Sequence, residues 1–278
     1  MHPHAWFHRR LKGLPARSAV LALCLALVAC ATVPMTERKQ LSLLSNQELS
    51  GLALKEYQKV LQQSKLSQDQ AKVEMVRRVG RDIAGAAERF MDQRGLGQDK
   101  RYYQWEFNLI DDDKTINAWC MPGGKIAVYT GILPLTQNDS GLAVVMGHEV
   151  AHALAKHGNE RMSQALLVNL GGVALAVALS QKPAQTRNLF LMAFGVGTAV
   201  GILLPYSRVQ EYEADRIGLT LTAMAGYDPK EAVPFWQRMR AKGGSRPPEF
   251  LSTHPAPDNR IDQIKAFLPE AMQHYRPR

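Results

Sequence analysis

Residues 146–158 read M-G-H-E-V-A-H-A-L-A-K-H-G, and within them His148, Glu149 and His152 stand as H-E-x-x-H. Positions i and i+4 of an α-helix share a face about one turn apart. The imidazoles of His148 and His152 can therefore bind one tetrahedral zinc at about 2.0–2.1 Å. Glu149 then falls beside the metal, where its carboxylate can take a proton from a water that the metal has acidified to a pKa of roughly 7, giving a nucleophile for amide hydrolysis. Leu142, Val144, Val145, Met146, Val150, Ala151, Ala153 and Leu154 make this helix apolar on most sides. Two imidazoles and a carboxylate in such surroundings need a partner.

A third ligand must come from elsewhere, because a catalytic zinc keeps three protein ligands and one open position. The extended pattern H-E-x-x-H-x-x-G-x-x-H would need Gly at 155 and His at 158, whereas the chain has Ala155 and Gly158, so that class is excluded. His157 points about 100° away on a straight helix and reads as structural. Further along, Ser207 to Asp215 opens a helix with a Ser-x-x-Gln capping box. Glu211 and Asp215 lie on one face of it at i and i+4. Glu211 reads as the third ligand, and Asp215 as the outer partner of a zinc-bound imidazole. Glu213, about 200° round from Glu211, should face elsewhere. On the Pro-bounded loop Ser252 to Arg260, His254 can reach the open metal position or the oxyanion, and Arg260 can hold that loop or join His254 at the oxyanion.

These groups have to be positioned by the rest of the chain. Ser45-Asn46-Gln47-Glu48 is a capping box for a helix to about Ser64, and Ser67 to Gln70 opens a second. In the second, Val73, Val76, Val79, Ile83, Ala87 and Phe90 keep helical spacing until Arg94-Gly95-Leu96-Gly97 stops it. Residues 103–109 alternate, with Tyr103, Trp105, Phe107 and Leu109 on one face, as in a half-buried strand. Asp111, Asp112 and Asp113 point in different directions and mark a solvated turn. Asn117 to Gly131 reads as strand, Pro-Gly-Gly turn and strand. An edge of that sheet beside the zinc helix can hold a peptide by strand addition. The apolar stretches 165–180 and 190–204 carry no charge yet fall short of the roughly 20 residues a spanning helix needs, so they read as a hairpin on the core or dipping into a lipid surface. Gly226 ends the Glu211 helix. Asp228-Pro229 starts the next, and Ile261, Ile264 and Phe267 give the last helix its apolar face.

A composition of 46% hydrophobic and 21% charged residues over 278 places this chain among ordinary globular proteins. Its first 29 residues do not belong to the fold. Arg9, Arg10, Lys12 and Arg17 form a basic region, Ala19 to Ala29 an apolar one, and the segment closes on Leu27-Val28-Ala29-Cys30. That ending resembles a bacterial lipobox, which implies a signal peptide over 1–29, lipidation of Cys30, a solvated tether over 30–44 and a peptidase domain over 45–278. Ala31 after the Cys implies sorting, so the expected location is the periplasm, lipid-anchored to the outer membrane. Losing the four basic leader residues takes the formal charge from +9 to +5, which does not call for nucleic acid. With Cys24 removed and Cys30 lipidated, Cys120 stands alone, so no intramolecular disulfide is expected.

The stretches N-A-W-C-M-P-G-G-K-I-A-V-Y-T-G, G-H-E-V-A-H, S-R-V-Q-E-Y-E-A-D, A-G-Y-D-P and S-T-H-P-A-P-D-N-R-I occur in this order. Together they resemble the zinc endopeptidases related to HtpX and the CAAX prenyl protease, and more narrowly the Oma-type and bacterial periplasmic lipoprotein branch, over about residues 45–268. The resemblance implies an α+β, mostly helical gluzincin fold whose small sheet flanks the active-site helix. It also implies one zinc held by His148, His152 and Glu211, with Glu149 as general base, Asp215 behind the ligands and His254 near the metal. Cys120 departs from it, since that hairpin often has Ala. The expected function is a metalloendopeptidase acting on unfolded or misfolded envelope proteins. The competing expectation is a non-catalytic, chaperone-like zinc lipoprotein, favoured if His254 closes the fourth metal position. An inner-membrane enzyme with both apolar stretches inserted is a third.

Overall fold

In a computed structural model of the chain, the residues described are 30–170, 183–194, 207–242, 248–255 and 259–278. The leader 1–29 and the inner parts of both apolar stretches lie outside them. Strand β1 (Cys30–Thr32) pairs antiparallel with β2 (Lys39–Leu41), and Ser45 then caps α1 (Asn46–Gln63) through a reciprocal bond with Glu48. Asp69, rather than Ser67, caps α2 (Gln70–Gln93) by accepting from the Lys72 amide. The expected strand is shorter at its start than the alternation suggests. Tyr103 and Trp105 stack on each other at 4.9 Å, and only Glu106–Ile110 pairs as β3.

The hairpin forms as β4 (Ala118–Met121) and β5 (Lys125–Tyr129) around Pro122-Gly123-Gly124, where both glycines take the positive φ such a turn requires. Strand β5 is central. It runs parallel to β3 and antiparallel to β4, which leaves β4 as the edge that lies against α3 (Asp139–Leu154). Asn138 caps α3, and the helix is buried continuously from Gly141 to His152, as its all-round apolar pattern requires. A break at Ala155 and Lys156, the latter with φ 58°, turns the chain into α4 (His157–Leu170).

After α5 (Pro183–Ala193), Ser207 caps α6 (Arg208–Met224) with a second reciprocal box, this time with Gln210. Among the described residues, helices α3 and α6 pack against each other most extensively. They meet where Gly147 and Gly218 face each other: a Cβ at Gly147 would lie 2.9 Å from the Gly218 carbonyl oxygen, and one at Gly218 would lie 2.9 Å from the His148 backbone. This pair of glycines lets the two helices approach closely enough for their polar faces to share one site. Helix α7 (Ala232–Ala241), a turn over Glu249–Thr253 and α8 (Arg260–Met272) close the far side with Phe235, Trp236, Phe250 and Ile264.

The expectation of a solvated tether over 30–44 does not hold for these residues. Val33 and Leu44 are buried, Gln40 donates to the Ala155 carbonyl at 2.6 Å, and Asn159 bonds Ser42 and the Leu44 carbonyl. A segment with alternating apolar and hydrogen-bonding groups finds partners in the α3–α4 elbow, so it folds as a strap. Among the described residues no helix is long and apolar enough to cross a membrane.

Candidate active site

Three elements bring the chemistry together. Helix α3 presents His148, Glu149 and His152, α6 presents Glu211 and Asp215, and the turn before α8 presents His254, with Arg260 behind it. All seven side chains are buried. The Nε2 atoms of His148 and His152 lie 3.0 Å apart, Glu211 Oε1 is 3.3 Å from His152 Nε2, and His254 Nδ1 is 3.2 Å from His148 Nε2 and 3.1 Å from Glu211 Oε1. One donor atom from each of His148, His152, Glu211 and His254 falls within 4.8 Å of the others.

The tautomers follow from the carboxylates. Asp215 Oδ1 lies 3.0 Å from His148 Nδ1 and places that ring's proton there. His157 Nε2 donates to Glu213 Oε2 at 3.0 Å, so His157 Nδ1 accepts from His152 Nδ1 at 2.9 Å. With both rings neutral the Nε2 atoms facing the centre carry lone pairs, and two lone pairs with a carboxylate at this spacing repel unless a proton or a cation lies among them. Burial disfavours charge on His148, yet Asp215 and Glu211 outweigh it and push that imidazolium up to about 9, so a proton on His148 Nε2 supplies the positive charge that the centre requires wherever a metal cation does not. Glu149 Oε1 is buried and makes no hydrogen bond. Imidazole nitrogens and a carboxylate in a compact set suit zinc, and their outer partners are those that ligating histidines use.

Burial pushes the Glu149 carboxyl up to about 8, so with no cation beside it the group is mostly protonated at neutral pH, and a dication would draw that value down and leave a carboxylate able to take a proton. Burial also lowers His152 and His254, the latter to about 4, so each stays a neutral donor. Glu211 is held well below the usual carboxylate range: burial opposes this, but Arg260 and the surrounding imidazoles prevail.

Arg260 departs from one of its two expected roles. Its guanidinium donates to both oxygens of Asp215 at 2.8 and 2.9 Å, pairs with Glu211 Oε2 at 2.6 Å, donates to the Pro255 carbonyl at 3.1 Å, and lies 3.5 Å from the centre of the Trp236 ring. With its donors so engaged it holds the carboxylates and the His254 loop rather than facing an oxyanion. Cys30 opens β1 opposite Leu41. Cys120 lies on β4 and is buried, and burial raises its thiol, with Glu149 adding to the effect.

Three polar residues near the site escaped the reading of spacing. The turn of His157 toward His152 depends on the break at Lys156, which a straight-helix projection cannot include. Glu213 does face away from Glu211, but into a cluster with His157, Arg38 and Glu160. Arg38 had no local pattern to mark it, because its partners are 122 and 175 residues away.

Comparison with known proteins places this geometry in context. The model of peptidase family M48 matches residues 76–268. The mitochondrial metalloendopeptidase OMA1 of Schizosaccharomyces pombe is 40% identical over 170 residues, 60% of this chain and 48% of that protein. The OMA1 metalloendopeptidase of Bos taurus is 31% identical over 251 residues, 86% of this chain and 46% of that protein. The beta-barrel assembly-enhancing protease of Escherichia coli is 32% identical over 162 residues, 56% of this chain and 33% of that protein. The chain thus spans about half the length of the first of these relatives. They overturn the expected location: the OMA1 relatives from yeasts, a plant and animals are named as mitochondrial, so a periplasmic placement on the outer membrane, which rested on the lipobox resemblance of residues 27–30, does not stand.

Proposed function

The chain belongs to peptidase family M48 and carries its zinc-metallopeptidase fold, and on that premise we propose that it is an endopeptidase that cleaves unfolded or misfolded protein chains. The observation that carries this is the convergence of His148, His152 and Glu211 beside a buried Glu149 carboxylate whose Oε1 faces His254 Nε2 at 3.3 Å. A site meant only to hold a metal needs no such carboxylate beside its ligands. His148, His152 and Glu211 would hold zinc, which when bound would supply Lewis-acid polarisation of the scissile carbonyl and acidify the attacking water. Glu149 would take the water's proton and deliver it to the leaving amine. Asp215 and the His157–Glu213 pair hold the two imidazoles in the tautomers that point lone pairs inward. Strand β4 presents an unpaired edge next to α3, and an extended substrate can add there through its backbone, which supports broad sequence tolerance. An extended backbone at β4 is accessible only in a chain that is not folded, and this favours unfolded substrates.

His254 bears on the competing reading. Its Nδ1 completes a four-donor set, and its Nε2 is 3.3 Å from Glu149 Oε1, so it occupies the space a reacting water needs. As an endopeptidase the protein must move His254 aside, and as a zinc-holding binder it keeps His254 in place. Digestion of casein by the full chain and by His254→Ala separates them. We expect the variant to cleave at least ten times faster than the wild type, with both stopped by chelation and restored by zinc. If both hold zinc and neither cleaves, the binder reading replaces this one.

A further inference from the structure

We propose that the strap residue Arg38 is a positioning residue for the metal site, fixing the ligand His152 through Glu213 and His157. The relay is continuous. Arg38 Nε donates to Glu213 Oε1 at 2.9 Å and Nη2 donates to Oε2 at 3.0 Å, Glu213 Oε2 accepts from His157 at 3.0 Å, and His157 accepts from His152 at 2.9 Å. Thr36 Oγ1 adds a bond to Glu213 at 2.7 Å. The other edge of the guanidinium holds Glu160 with two bonds of 2.8 Å, and Gln210 of α6 holds that same carboxylate at 2.6 Å.

One guanidinium therefore separates two buried carboxylates, from α4 and α6. Lysine cannot make this two-sided fork, since its ammonium is a single point of charge. Without Arg38, Glu160 and Glu213 are left buried with too few donors, and Glu213 is no longer held in the rotamer that faces His157. Its rotation removes the acceptor that holds the His157 Nε2 proton, and with it the reason for His152 to carry its own proton on Nδ1 and turn Nε2 to the metal. The backbone is bent to deliver these donors. Met35 and Glu37 take positive φ values of 69° and 54°, uncommon for residues with side chains, in the turn that presents Thr36 and Arg38. The α3–α4 break that swings His157 back is held by the same strap, through Gln40 and the Ala155 carbonyl.

The inference rests on the zinc site proposed above, and its test keeps the two apart. In the full chain, the equilibrium zinc affinity is measured by competition with a chromophoric chelator, and the visible spectrum is recorded after cobalt substitution. Arg38→Gln should weaken zinc binding about 10- to 100-fold, the range that loss of an outer partner causes, and should alter the cobalt bands. Arg38→Lys should fail to restore either, and Lys39→Ala, whose ammonium bonds only the exposed Thr32 hydroxyl, should match the wild type. Combining Arg38→Gln with His157→Asn should weaken binding no more than His157→Asn alone, as expected for one relay. If Arg38→Gln does not fold, Thr36→Val, which removes one donor to Glu213, should give a smaller loss in the same direction. Zinc affinity and cobalt bands unchanged in the folded Arg38 or Thr36 variants, whatever their melting temperatures, would show the strap to be structural only. A wild-type chain that holds no zinc would instead sink the proposed function.

Discussion

At the residue scale, the ligand pattern was legible because each half of it repeats at i, i+4 on a regular helix. His148 and His152 had to share a face of α3, and Glu211 and Asp215 a face of α6. What spacing could not supply was the second set of partners. His157, Glu213 and Arg38 meet His152 only through a helix break and a contact across more than a hundred residues. Spacing left Arg260 two roles, at the His254 loop or at the oxyanion, and in the structure Asp215, Glu211 and the Pro255 carbonyl engage its donors. One prediction belongs to Cys120. Its thiol is buried on β4 and burial raises it, so less thiolate is available than at an exposed cysteine. Peptide mapping after treatment with iodoacetamide at pH 8 should find Cys120 unmodified in the folded protein and fully modified in guanidinium. Modification without denaturant would mean that β4 opens readily.

At the element scale, the site depends on how closely α3 and α6 approach. The sequence pattern marks both helices, yet nothing in it says that Gly147 meets Gly218, since that contact exists only in the packed pair. Gly218→Ala places a methyl 2.9 Å from the His148 backbone, where only main-chain movement can accommodate it. Overpacking of this kind costs about 1–3 kcal/mol. The same movement withdraws Glu211 and Asp215 from the imidazoles. We expect a melting temperature lowered by about 2–4 °C for each kcal/mol lost, together with weaker zinc binding. Calorimetry and chelator competition check both, and zinc affinity equal to the wild type would show that the helix spacing is not critical to the site. The start of β3 teaches a similar lesson: the alternation from Tyr103 reports a buried face, but the Tyr103–Trp105 stack uses it before strand pairing begins.

At the scale of the whole molecule, capping boxes, one hairpin and the apolar periodicities marked individual elements, while the mostly helical architecture with a small sheet beside α3 is what the family resemblance implied. The N-terminal boundary was not readable in the same way. Residues 30–44 look like a linker by polarity, and only their burial against the α3–α4 elbow reveals a strap. A chain begun at Ser45 loses the burial of Val33 and Leu44, worth about 1.5–3 kcal/mol each, and should melt about 6 °C or more below a chain begun at Cys30. Equal melting temperatures would return the segment to a tether. Zinc ties the parts together, because its ligands come from helices more than fifty residues apart in sequence. At a free zinc concentration 1,000 times its Kd the folded state should gain about 4 kcal/mol, so chelation should lower the melting temperature by roughly 8 °C or more. The most direct test of the account compares zinc content and casein cleavage in the full chain, His254→Ala and His254→Ala combined with Glu149→Gln. The account predicts about one zinc in each, cleavage by the first two, and a loss of at least 10²-fold when Glu149 is replaced. Cleavage that survives the Glu149 substitution, or a chain that binds no zinc, would contradict it.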